Sequence, residues 1–312
     1  MDRSDVRGLR FNRNGGSGSY CFMDSCEKEE EEPMKRFCMK AILTFFCILV
    51  WMPLLMMAGN SLMSESEMLD RFAVIFGTGM TPVKETLIPT YPTLRPYIEL
   101  LFDSPGFYVM FWNSCFQTGA VLAGQMVVAL LAAWGFANYN FRGKGVLFFI
   151  YIVLMILPFQ VTMVPNYLVL KNLKLLNSHF AVILPGIFST FPVFIMTKFF
   201  EGIPVPLLEA AKLDGAGELT VFFKVGIPLG MPGIISAMVL GFLEYWNAIE
   251  QPMAFLKERR LWPLSLYLPE ITSDKAGVAW AASIVMMILP VTLFILGQGN
   301  LEQGIVASGI KE

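Results

Sequence analysis

The residues best placed to do chemistry lie in one polar segment between two apolar stretches: Glu209, Ala210 and Ala211, then Asp214 and Gly215, with Pro228 closing the segment. The chemistry they suit is recognition rather than bond making. Pro206 fits a first helical position, Glu209 brings negative charge to the first turn, and Gly215 can take the left-handed conformation that ends a helix. A second short helix is expected from about Glu218 to Gly226, stopped by Pro228. Ala210 and Ala211 permit close backbone approach, while Glu209, Lys212 and Asp214 supply charges for choosing a partner.

Bond-making constellations are missing from the sequence. The single histidine, His179, has no Cys or second His nearby to complete a metal set, and the five cysteines (Cys21, Cys26, Cys38, Cys47, Cys115) form no C-x-x-C pair. Gly15 to Gly18 and Gly77 to Gly79 lack the strand-to-helix setting and the Lys of a phosphate cradle. A membrane-embedded enzyme would need paired acids or a Ser/His arrangement facing one cavity, and the apolar stretches hold no convergent acidic pair. Glu244 is the one acidic residue well inside such a stretch. Two readings stand for it: a solute pathway, because intramembrane charge is costly, or a solvated interface beside Trp246. Asn113, Gln117, Gln125, Gln160, Thr162 and Asn247 either line a polar route for a hydroxyl-rich solute or bond between helices.

The elements that must position these groups are set by composition. Hydrophobic residues make up 55% of the 312 and charged residues 15%, against about 25% charged in soluble domains. The class is therefore an all-α integral membrane protein. A net charge of −2 gives no basic field for nucleic acid. Six stretches approach the roughly 20 apolar residues needed to cross a bilayer: Cys38 to Ala58, Tyr108 to Ala137, Val146 to Val164, Phe180 to Phe200, Gly230 to Ile249 and Gly277 to Gly297. Residues 1–33, with the acidic run Glu27 to Glu32, read as a disordered cytoplasmic tail, and Met34 is an alternative start. The first span then falls in 34–60, an external region in 61–107, the core in 108–297 with its polar loop at 201–228, and a cytoplasmic tail in 298–312. Lys35, Arg36, Lys40, Arg142, Lys144, Lys198, Lys212 and Lys224 bias one side, which places both termini in the cytoplasm of a multi-pass protein.

The order Glu209-Ala210-Ala211, Gly215, then Val225-Gly226-Ile227-Pro228 resembles the EAA loop of ABC-importer permeases, within the carbohydrate-uptake branch and near its smaller maltose-type subunit. Trp112-Asn113-Ser114, Phe141 to Lys144, Pro158 to Tyr167 and Trp246-Asn247 agree with the same family, whereas Val205-Pro206, Glu244 and Ala248 depart from it. The resemblance implies a type I importer permease with six transmembrane helices in the bacterial inner membrane. It implies a coupling helix at Glu209 to Gly215 docking on an ATPase, and no catalysis or cofactor in this chain. ATP and Mg would be used by two ABC ATPase subunits, with a second permease completing a heterodimer and an extracytoplasmic solute-binding protein delivering cargo. Sugars, oligosaccharides, polyols and glycerol-phosphate all remain open as cargo, and a receptor or scaffold docking through the Glu209 loop is the rival class.

Overall fold

A computed structural model of the chain describes residues 18–72, 89–267 and 275–309. Among them every regular element is helical. Residues 1–56 form one compact unit and 57–312 another. Helix α1, Gly18–Ser61, carries an apolar segment Phe37–Ser61 long enough to cross a membrane, with no buried residue over its most apolar part. It starts at Gly18, inside the segment whose composition predicts disorder. The Glu-rich run favours helix when fused to an apolar helix, because Glu loses little rotamer freedom there.

The second unit continues with α2 (Glu65–Phe72), α3 (Arg95–Phe102), α4 (Pro105–Asn138), α5 (Lys144–Ile156), α6 (Phe159–Asn172), α7 (Phe180–Ile187), α8 (Thr190–Glu201), α9 (Val205–Leu213), α10 (Glu218–Val221), α11 (Ile227–Trp246), α12 (Glu250–Phe255) and α13 (Ala276–Gly309). The region expected as an external loop thus contains α2 and α3, and the expected C-terminal tail continues α13 as far as Gly309. Helices α4, α8 and α11 pack on one another at the centre, with α13 against α11 and α7 against α4.

Three expected spans have a different form. The third is bent by 105° between α5 and α6. Pro158 causes it, since the residue before a proline is pushed out of the helical region, and Leu157 sits at φ −64°, ψ 125°. The fourth is interrupted at Phe188 and Ser189, where Ser189 is extended at ψ 139°. The fifth starts earlier than its apolar residues suggest. Glu218 to Trp246 is one helical run, because Phe222–Gly226 is a π-turn that joins α10 to α11. Pro228 therefore does not stop the second loop helix. The wider π-turn, closed by Ile227 N–H to Phe222 O, makes room just before the residue that lacks a donor.

Apolar clusters hold the ends of the bundle, and a further one, Leu170, Ala181, Val182, Phe255 and Leu256, joins α6, α7 and α12. At the end carrying α9, Trp134 of α4 meets Phe200 of α8 and Phe222 of the π-turn, both with ring centroids at 5.3 Å. At the opposite end, Leu100, Phe107, Trp246, Leu264 and Val278 pack together. The aromatic contacts add about 0.5–1.5 kcal/mol per pair beyond burial.

Candidate functional site: the Glu209 loop and its link to the spans

Helix α9 ends in a paired hydrogen-bond motif that depends on Gly215. The Gly215 N–H donates to Lys212 O at 3.0 Å and the Ala216 N–H to Ala211 O at 3.1 Å. The second bond requires a left-handed residue at 215, and Gly215 has φ +84°. This is the C-terminal glycine the spacing predicts.

One face of α9 is anchored and the other is free. Leu208 and Ala211 pack against the Trp134 cluster, while Glu209, Ala210, Lys212 and Asp214 are exposed. Leu213, 88% exposed, and Leu219, 72% exposed, stand as bare apolar side chains at the end of the loop. Sequence reasoning did not single out Leu213, because a leucine in a helical period looks like core. The loop is also tied by polar contacts that the motif does not announce. Glu218 accepts from Lys212 Nζ at 2.6 Å and from the Tyr139 hydroxyl at 3.0 Å, joining α9, α10 and the end of α4. The bond to Glu218 raises the Lys212 pKa, so the ammonium stays charged at neutral pH.

The polar residues named as pathway candidates separate into two groups. Asn113 and Gln117 hold the chain at the opposite end. Asn113 Nδ2 donates to Arg260 O at 2.7 Å and Trp262 O at 3.0 Å, and Gln117 Nε2 donates to Leu261 O at 2.9 Å. Between them, the Ser114 hydroxyl accepts from Leu264 N–H at 2.7 Å. His179 sits 3.1 Å from Gln117 Nε2, and its burial lowers the imidazole pKa and favours the neutral acceptor. Asn247 caps α11 through Leu243 O at 2.8 Å. Glu244 and Asn247 are exposed, one turn apart, and no Lys or Arg among the described residues forms an ion pair with Glu244. Glu250, the first residue of α12, accepts from Gln160 Nε2 through both carboxylate oxygens, at 2.9 and 2.8 Å. Pro228 is exposed at the start of α11, at the other end of that helix from Glu244. No group of His, Cys, Asp and Glu that could hold a metal ion occurs among the described residues.

Comparison with known proteins adds three findings. Residues 125–306 match the family of binding-protein-dependent transport system inner membrane components. The chain is 26% identical over 226 residues to the arabinooligosaccharides transport system permease protein AraQ of Halalkalibacterium halodurans, covering 72% of this chain and 81% of that one. It is 33% identical over 195 residues to the polygalacturonan/rhamnogalacturonan transport system permease protein YtcP of Bacillus subtilis, covering 62% and 67%. Among solved structures, a chain of a bacterial ABC transporter involved in the import of the acidic polysaccharide alginate superposes with a TM-score of 0.74 at 20% identity, over 86% of this chain and 97% of that one. At that identity the likeness establishes the fold, that of a type I importer permease. With the family match covering more than half its length, this chain belongs to the binding-protein-dependent transport system inner membrane component family.

Proposed function

We propose that this chain is one of two permease subunits of an ATP-driven importer of oligosaccharides, and that α9 is the helix through which a separate ATPase moves it. The observation that carries the reading is the form of α9. It is a short helix with Leu208 and Ala211 seated on the core, Glu209, Ala210 and Leu213 facing outward, and a fixed Gly215 end. An exposed leucine beside a carboxylate on a rigid, small-residue helix suits a groove in another protein better than it suits water.

The ATPase dimer supplies ATP and Mg chemistry, a second permease completes the pathway, and an external solute-binding protein loads it. The α9 end is cytoplasmic in this reading, and Arg142, Lys144, Lys198 and Lys224 near that end agree with it. Both termini are then cytoplasmic as well. Glu244 lies exposed on a membrane-spanning helix without a cation partner among the described residues, an arrangement that lipid does not tolerate, so we assign its face to the pathway beside the second permease. The relatives' cargo of arabinooligosaccharides and polygalacturonan supports an oligosaccharide here.

Reconstitution of the chain with its companion permease, ATPase and binding protein in vesicles tests the reading. ATP-dependent uptake is expected for labelled arabino- or galactooligosaccharides. Uptake of glycerol-3-phosphate alone would replace the cargo, and ATP-independent uptake would overturn the mechanism.

A further inference from the structure

Three helices meet at one backbone carbonyl where the fourth span breaks. Helix α7 ends at Ile187 and α8 begins at Thr190, so the last carbonyls of α7 lose their helical donors within a membrane span. Gly186 O is satisfied from three directions. The Ser189 N–H donates at 3.1 Å, Gln125 Nε2 of α4 donates at 2.8 Å, and the Tyr245 hydroxyl of α11 stands at 3.4 Å.

The packing at this point leaves no slack. A Cβ on Gly186 would stand 2.9 Å from both methyl groups of Val121 and 3.0 Å from the Tyr245 ring. Gly241, one turn before Tyr245 on α11, brings its backbone against Gln125, so that a Cβ there would meet Oε1 at 3.2 Å. Gln125 itself is fully buried. Its Oε1 accepts no hydrogen bond, and it is the only such orphan among the buried side-chain polar atoms of the described residues. An unpaired acceptor in an apolar interior is costly, so a donor brought within reach of it gains a hydrogen bond. The Tyr245 hydroxyl, which also has the Gln125 and Ser189 side chains as polar neighbours, is the donor at hand. Its present bond to Gly186 O is long.

The geometry points to a hydrogen-bond switch in which the Tyr245 hydroxyl donates to Gly186 O in one transport state and to Gln125 Oε1 in the other. Gln125 and Tyr245 are then positioning residues: they set the angle of the break between α7 and α8 and touch no solute. The link to the Glu209 loop is covalent. Tyr245 lies near the end of the single helical run that begins at Glu218, and the π-turn at Phe222–Gly226 lies between the loop and the junction. A turn with i→i+5 bonding is where such a run can change its register. Motion of the loop therefore reaches the break through the helix that carries Tyr245.

The inference rests on the importer reading above, and its test separates the two. The assembled complex is compared without nucleotide and with ATP, Mg2+ and vanadate, following backbone hydrogen exchange of residues 186–190. The native complex is expected to change exchange there by about fivefold or more between the two conditions. Tyr245→Phe, which keeps the ring and removes the donor, should reduce that response by about two- to tenfold. Gln125→Leu should do the same, and the double variant should be no worse than either single one. Thermal midpoints taken on the same samples identify a merely structural role, which lowers the midpoint and leaves the exchange response intact. A native-sized response in Tyr245→Phe, or losses that multiply in the double variant, overturns the switch. If no ATPase associates with the native chain, the importer reading falls first and the switch with it.

Discussion

The Glu209 loop and the Gln125 junction are built on opposite plans. The loop exposes Glu209, Lys212, Leu213 and Leu219, and its polar ties, Lys212 to Glu218 and Tyr139 to Glu218, lie at the surface. The junction buries Gln125, Val121 and Gly186 completely or nearly so and has no room for one more carbon atom. A surface left open specifies contact with something else, whereas a surface without space specifies the register of its own helices. The two lie on one helical run, Glu218 to Trp246, which begins at the first and ends at the second.

Adding volume at the junction should have the largest effect. Gly186→Val puts branched carbons where Val121 and Tyr245 already stand, an overpacking that costs about 1–3 kcal/mol and leaves polar groups at the break unpaired as well. A sharp drop in the yield of folded complex and in its thermal midpoint is expected. Native stability in this variant would show that the break is pliable and that the junction does not set register.

Changing the loop should leave folding alone and remove a partner. Gly215→Val places a β-branched residue at φ +84°, which only glycine adopts freely, while no atom crowds the site. The spans should insert as before, and capture of the ATPase should be lost in pull-down. Glu209→Ala should weaken capture more mildly, as one exposed charge at a rim contributes little. If Gly215→Val lowers insertion instead, the division between the two regions fails.

How far each region can be read from sequence follows the same division. The loop is legible because its chemistry is local: Gly215 must be glycine for its φ, and its spacing from Glu209 is a matter of one short helix. The six apolar stretches are legible because the bilayer imposes their length. The junction is not, because Gln125, Gly186 and Tyr245 are far apart in sequence and only the packing of α4, α7 and α11 brings them together. For Asn113 and Gln117 the sequence leaves polar lining and bonding between helices both open, for the same reason. A polar side chain in an apolar stretch announces that it has a partner, and the partners here, Arg260 O, Leu261 O and Trp262 O, are backbone groups that no side-chain pattern marks. Pro158 signals a bend, yet the 105° it produces comes from the extended Leu157 and from α6 packing on α12.

The measurement that bears most directly on the coupling role is site-specific photo-crosslinking from position 213 in the assembled complex. Leu213 is 88% exposed and makes no contribution to the core, so a photoreactive residue there disturbs little. The account predicts a covalent adduct with the ATPase subunit, lost when Gly215→Val is introduced in the same chain. Adducts with lipid alone, or an ATPase adduct unaffected by Gly215→Val, would contradict it.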